Sequence, residues 1–454
     1  MDKKIDRKSN VLIYPIQQFM GKVVHLFLMF ISIFVPISYQ NRISELEKSP
    51  TFNNIVGLTI FNAIGGLVVM LTNVKIANVL GASLYGLFSY YLAIGEVGQN
   101  FVRYGRSKTM TRDLIQLPLK YDSLIANTFI IGLLNIIIYL IVVISLSSYL
   151  SLDITIPTIL LLLAPCIGSI DFQPVYEALK EMSWHSIYLL IQKVLFLLTI
   201  WSYLFFRGVP SVNYLGVVLF LSWIIIVVLQ FKEIIIGQKI SIFKNVSLMS
   251  IRMLYKDNFI IALSCMTAVA FGPLIRLILR NYSDTQSVGV YSAGMQIFLI
   301  SQFFLHQISR VGNPLMAEAG KPECSKEERK KFCNKYFLMM LIGTIPFAIP
   351  LILFPNQITT LFFSQEYEDL GIYLPLFGVY LLSLSLGVVY AQFLISMRKD
   401  KTYFIIFVGT ALITAIVALI IIPPFRVWGA VIALCIPHSI GCLLYYFCSI
   451  KYIR

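Results

Sequence analysis

Hydrophobic stretches long enough to cross a bilayer recur along the chain, and nearly all the lysines and arginines between them fall in every second connection. The connection before Tyr121 carries Arg103, Arg106, Lys108, Arg112 and Lys120, and that before Asn258 carries Lys232, Lys239, Lys244, Arg252 and Lys256. Lys321, Lys326, Arg329, Lys330, Lys331 and Lys335 precede Phe337, and Arg398, Lys399 and Lys401 form a further group. The intervening connections carry almost none. Short basic segments resist translocation and stay on the cytoplasmic side. The pattern predicts a polytopic membrane protein together with its orientation.

A bilayer core takes about 20 apolar residues per helix. About twelve segments of that kind are present: Ile55–Asn78, Leu84–Val102, Leu124–Tyr149, Ile154–Val175, Trp184–Phe206, Val212–Phe231, Asn258–Leu279, Val288–Gly312, Tyr336–Phe354, Gly371–Ser396, Tyr403–Pro423 and Trp428–Ser449. With the basic connections inside, both ends of this body are cytoplasmic. The chain divides into an N-terminal cytoplasmic or interfacial segment (1–50), a first six-helix bundle (51–231), a cytoplasmic linker (232–257) and a second six-helix bundle (258–454). Val23–Ser38 is apolar but short, and basic residues flank it on both sides, so it reads as an interfacial or re-entrant helix rather than a further span.

Composition excludes several classes. Of 454 residues 58% are hydrophobic and 13% charged, too few polar groups to cover a soluble domain. The net charge of +14 sits mainly in the inside connections, where anionic lipid is its partner and nucleic acid is not. The seven cysteines form no CxxC pair and read as small apolar residues. His25, His185, His306 and His438 have no metal-ligand spacing, and no GxxxxGK[S/T] phosphate loop is present. The connections on both sides are too short for a soluble domain. The outer connections and the lone histidines argue against a membrane polymerase or acyltransferase. The amphipathic run Ser325–Lys335 reads as a solvated or lipid-surface helix.

The two halves repeat. Leu80-Gly81-Ala82-Ser83-Leu84-Tyr85-Gly86-Leu87-Phe88-Ser89 in the first corresponds to Ser287-Val288-Gly289-Val290-Tyr291-Ser292 in the second. One offset aligns Gly86 with Gly289, Ser89 with Ser292 and Gln99 with Gln302. Six spans per half give the repeats the same membrane orientation, and parallel repeats suggest two pseudo-symmetric bundles around a central cavity.

With Ile76-Ala77-Asn78-Val79-Leu80-Gly81, Tyr85-Gly86, Val288-Gly289-Val290-Tyr291-Ser292-Ala293, Asn313-Pro314 and the Asp171 to Glu177 stretch, residues 51–450 resemble the polysaccharide-repeat (O-antigen or capsule type) flippases of the multidrug/oligosaccharidyl-lipid/polysaccharide exporter superfamily. The first fifty residues depart from that pattern. The resemblance implies alternating access in the bacterial cytoplasmic (inner) membrane. It also implies export of an undecaprenyl-diphosphate-linked oligosaccharide, beside the polysaccharide polymerase machinery. No enzymatic activity and no cofactor is expected, apart from proton or sodium coupling.

Charges inside spans cost roughly 2.5–3.5 kcal/mol each on insertion scales and need a reason. Lys75 lies 11 residues before Gly86 and Arg276 lies 13 before Gly289, so the halves place cations at similar depths, with Arg280 a turn beyond Arg276. A pyrophosphate group would be held by Arg bidentately and by Lys as a point charge. Lys193, deep in the fifth span, and Arg310, near the inner end of the eighth, complete the cationic set. Snorkelling and topology anchoring are the competing roles. Asn73, Gln99 and Gln302 offer polar lining for sugar hydroxyls or helix–helix hydrogen bonds. Glu96, flanked by Gly95 and Gly98, would take up a coupling ion or pair with a cavity cation. Asp171 would gate the inner mouth or stand in a solvated loop. Gly272-Pro273 would let the seventh span bend. A cation-coupled multidrug exporter of the same superfamily, and a non-transporting scaffold of polysaccharide assembly, are the alternatives. The first wants acidic cavity residues, whereas this chain supplies mostly basic ones.

Overall fold

A computed structural model describes residues 50–237, 240, 245–321 and 323–453, and the Val23–Ser38 segment lies outside them. The described residues are almost entirely helical and contain no strand. In chain order the helices are α1 (Pro50–Arg103), α2 (Arg106–Gln116), α3 (Tyr121–Ser145), α4 (Ile156–Gly168), α5 (Gln173–Ala178), α6 (Met182–Arg207), α7 (Val212–Phe231), α8 (Leu248–Thr267), α9 (Pro273–Tyr282), α10 (Thr285–Ala319), α11 (Lys326–Leu353), α12 (Pro355–Phe362), α13 (Leu370–Ser396) and α14 (Asp400–Ile453).

Among the described residues ten helical segments are long and apolar enough to cross a membrane. Two of them, Ile60–Arg103 and Asp400–Ile453, run for 44 and 54 residues. At 1.5 Å per residue those are roughly 66 and 81 Å, more than two bilayer cores each. Each is broken once: α1 at Gly81 (φ 73°) and α14 at Arg426 (φ 47°). Both breaks fall between predicted spans, so each of these long helices holds two of the twelve expected segments. The protein is an all-α, multi-pass membrane protein. Leu412, Ile416, Leu419 and Ile420 on α14 are exposed, as lipid-facing residues are.

Three predicted spans differ in detail. The fourth is divided into α4 and α5, with Asp171 in the break. The seventh begins ten residues early at Leu248, tightens into a 3-10 turn over Ala268–Phe271 and restarts at Pro273. Proline has no N–H to continue the ladder and its ring crowds the preceding turn. The ninth absorbs the Ser325–Lys335 run, which forms the mostly exposed first turns of α11. Ser325 starts it with a capping box: the Glu328 amide donates to the Ser325 hydroxyl and the Ser325 amide donates to the Glu328 carboxylate, at 3.2 and 2.9 Å.

The chain forms two compact units. The first comprises the described part of Met1–Val69 with Gly98–Phe205 and Leu215–Cys265; the second comprises Met70–Val97, Phe206–Tyr214 and Met266–Arg454. Phe61, Leu114, Val175, Tyr176, Trp184 and Ile226 belong to the first unit's core. In that unit α1 ends through left-handed Tyr104 and Gly105, and Arg106 folds back to donate to the carbonyls of Val102, Arg103 and Thr128. Burial pulls this guanidinium down to about 10, still cationic at neutral pH, as suits a helix C-terminus. In the second unit α13 packs against α10, α11, α12 and α14, burying Leu374, Phe377, Leu381 and Phe393 completely.

Candidate functional site

In the second unit Arg276 stands on the first turn of α9, directly after the break at Gly272. Its Nη2 donates to Glu96 Oε2 and its Nη1 donates to the Ser89 carbonyl at 3.3 Å. The guanidinium therefore spans two turns of the 82–103 limb of α1. The side chains are 15% and 35% exposed, so the pair is partly desolvated. Asn73 is on the 50–80 limb and donates to Gln296 of α10 at 2.9 Å. The Tyr85 hydroxyl lies near Gln296 and Ser89.

Lys75 is exposed and has no hydrogen bond or ion pair among the described residues. Arg280 turns to the Ser283 carbonyl at 3.5 Å and stabilises the C-terminus of α9. Gln302 is half-buried on α10, and Arg310 lies on the same helix. Gly272 has open space around it.

The aligned glycines of the repeat meet in this unit. A Cβ on Gly86 would lie 1.7 Å from the Thr285 carbonyl oxygen and 2.7 Å from the Gly289 nitrogen, and one on Gly289 would lie 1.9 Å from the Ala82 carbonyl oxygen. Only residues without side chains permit backbones this close. The repeat thus marks the crossing of its own two copies.

Lys193 belongs to the first unit. It sits 11 residues from one end of α6 and 14 from the other, roughly 16 and 21 Å along the axis. A lysine stem cannot reach across such distances, so snorkelling does not account for it. Its ammonium occupies the space that Gly65 leaves open, 3.0 Å from where a Cβ would stand. Among the described residues it has no hydrogen-bond or ion-pair partner. Gln99, also in this unit, is half-buried.

Asp171 pairs with Arg103 at 3.5 Å, lies 4.0 Å from His185 Nε2 and accepts from the Gln173 amide at 3.4 Å. Near it is a carboxylate the sequence reading missed. Glu233 is 7% exposed in a π turn (Lys232–Ile236) after α7, and its Oε2 accepts from the Tyr176 and Tyr188 hydroxyls at 2.6 and 2.8 Å. Its place beside Lys232 in a basic connection disguised it as loop charge. Glu233→Ala removes an acceptor from both tyrosines and is expected to lower stability by about 2 kcal/mol or more, with Glu233→Gln costing less. Thermal unfolding of the purified protein in detergent reads the difference.

A pocket in the first unit, lined by Tyr104, Arg106, Thr109, Thr128 and Asn258 among others, includes none of the predicted site residues. No group of three or more metal-ligating side chains occurs among the described residues.

The fold is that of the multidrug/oligosaccharidyl-lipid/polysaccharide transporters. The lipid II flippase MurJ in its inward closed conformation superposes with a TM-score of 0.71 at 15% identity, over 87% of this chain and 88% of that one. An inward-facing multidrug resistance MATE family transporter of the same superfamily gives 0.65 at 13% identity, over 87% and 94%. A superfamily transporter from Pyrococcus furiosus, described as having a binding pocket of reverse polarity, gives 0.56 at 14% identity, over 90% and 97%. No family model matches the chain. In sequence it is similar to the capsular polysaccharide biosynthesis protein CapF of Staphylococcus aureus, 23% identical over 197 residues, 42% of this chain. The chain spans 50% of that relative's length. These structural neighbours are transporters, not enzymes.

Proposed function

We propose that this protein is a flippase that carries a lipid-linked, diphosphate-bearing oligosaccharide across the bacterial cytoplasmic membrane by alternating access, with the basic connections inside. The observation that carries the reading is Lys193, a cation in the middle of a membrane helix with no partner among the described residues. An ammonium there calls for a mobile anion, and a lipid diphosphate is an anion that enters from the membrane itself. The flippase and the capsule protein to which the chain is similar support the substrate class. Arg276 is a separate candidate cation, within the second unit.

Glu96 is engaged by Arg276, which disfavours an organic cation as cargo and gives proton or sodium coupling a simple form. Neutralising Glu96 would release Arg276 to the phosphate. Asp171 with Arg103, and the break at Gly272-Pro273, would serve the inner mouth and the bending of the seventh span. Polysaccharide polymerase machinery would take the delivered repeat unit.

Reconstituted protein is expected to exchange a fluorescent polyprenyl-diphosphate oligosaccharide between leaflets, and a neutral glycolipid of equal length much more slowly. Lys193→Gln should lower the rate about tenfold, the scale of one hydrogen bond to a charged group. Equal rates for the charged and neutral lipids would overturn the reading, and no exchange by the parent protein would favour a scaffold.

A further inference from the structure

The break at Gly81 leaves two helix ends inside the second unit, each with backbone groups that lack an intrahelical partner. One short segment far along the chain, from the end of α12 towards α13, supplies a partner to each. On the C-terminal side of the first limb, Tyr367 donates its hydroxyl to the Ala77 carbonyl at 3.0 Å. Asn78 donates to the Phe362 carbonyl at 2.8 Å and accepts from the Ser364 amide at 2.9 Å, pairing edge to edge with that backbone. On the N-terminal side of the second limb, Glu366 Oε2 accepts from the Ala82 amide at 2.8 Å, placing an anion at a helix N-terminus. The carboxylate lies so close to Gly81 that a Cβ there would stand 2.5 Å from it. Tyr85 meets the Tyr367 ring edge-on, with centroids 6.5 Å apart.

The same corner holds the Gly86–Gly289 crossing, with Ser83 and Thr285 hydroxyls 2.8 Å apart beside it. The crossing is closed at a cost: the hydroxyls of Tyr291 and Ser292, 1% and 3% exposed on the crossing helix, have no hydrogen-bond partner among the described residues. Buried orphan hydroxyls oppose the arrangement that buries them. The capping segment, anchored by buried Phe363 and Tyr367 and exposed at Ser364, Gln365 and Glu366, opposes their release.

We infer that the Phe362–Tyr367 segment is a releasable latch, with Glu366 as its principal tie, that holds the Gly86–Gly289 crossing shut at the end of the helices opposite the basic connections. With the latch in place the helix ends at Gly81 are satisfied and the crossing stays closed. With it withdrawn the Ala82 amide and Ala77 carbonyl turn to water, and the crossing separates. The bearing of this on transport rests on the flippase reading; the latch itself does not.

The test uses the full chain with Ser83→Cys and Thr285→Cys introduced together. The rate at which the two thiols join under mild oxidant is followed by mass spectrometry of the linked peptide. Adding Glu366→Ala is expected to slow joining about fivefold, the scale of losing a helix cap, and Asn78→Ala should act in the same direction. A second thiol pair, Ser383→Cys with Ser439→Cys, reports a fixed contact between α13 and α14, where the hydroxyls are 2.8 Å apart. Its rate should not change with Glu366→Ala. Unchanged joining at the first pair, or an equal loss at both pairs, overturns the latch. Neither rate depends on a lipid substrate, so failure of the flippase reading leaves this result standing.

Discussion

Arg276→Ala is expected to abolish leaflet exchange of a diphosphate-linked glycolipid, whereas Arg276→Lys keeps a measurable fraction of it. The guanidinium engages Glu96 and the Ser89 carbonyl through different nitrogens, so it is already arranged as a fork. Two hydrogen bonds to a charged group correspond to a rate loss on the order of a hundredfold, and lysine restores charge without the fork. Removing one member of a partly buried pair also strands the other. The double variant Glu96→Gln with Arg276→Ala controls for that effect and should unfold at the parent's temperature while still failing to exchange. Glu96→Gln alone should retain exchange but lose its response to an imposed proton or sodium gradient. Parent-like exchange by Arg276→Ala in proteoliposomes of equal protein content would remove Arg276 from the site.

The second large effect is steric. Gly86→Ala and Gly289→Ala each drive a methyl group into the opposing backbone, at 1.7 and 1.9 Å from a carbonyl oxygen. A backbone cannot turn aside as a side chain can. Overpacking costs about 1–3 kcal/mol, and the gain of roughly 1 kcal/mol from replacing a helical glycine offsets only part of the upper range. Both variants should melt well below the parent and join the Ser83→Cys and Thr285→Cys thiols poorly. Gly409→Ala, on α14 with nothing within 4 Å, is the matched control and should be neutral or stabilising. Parent-like melting of Gly86→Ala would show that the crossing is looser than described.

What could be read beforehand follows from the range of the physics involved. Span hydropathy and the basic connections are local properties, and so the twelve segments, with the breaks at Gly81 and near Gly272, were legible residue by residue. The repeat identified Gly86 and Gly289 as equivalent but not as touching, because equivalence is a property of sequence and contact a property of packing. Glu96 was read as a partner for some cation, yet the choice of Arg276 joins positions 180 apart in the chain. Arg280 was read as a further, lesser cation a turn beyond Arg276, and its contact with the Ser283 carbonyl is a feature of the helix end that sequence does not show. Glu366 was visible only as one acid in an acidic connection, and Glu233 only as one charge in a basic one. Neither has a local signal that separates a buried or capping carboxylate from a solvated one. Gln296 had no signal at all, since its partner Asn73 lies on a helix more than two hundred residues earlier.

The distance in chain order between Ala82 and Glu366 also bears on how the molecule is made. The two are 284 residues apart. At about 5–20 residues per second, the cap for the second limb of α1 is synthesised roughly 15 to 60 s after the limb it caps. During that interval the first two membrane segments are already inserted, with the amide of Ala82 and the carbonyl of Ala77 served by water alone. The corner at Gly81 therefore matures late: the earliest-made part of the body acquires its final geometry only when one of the last connections arrives.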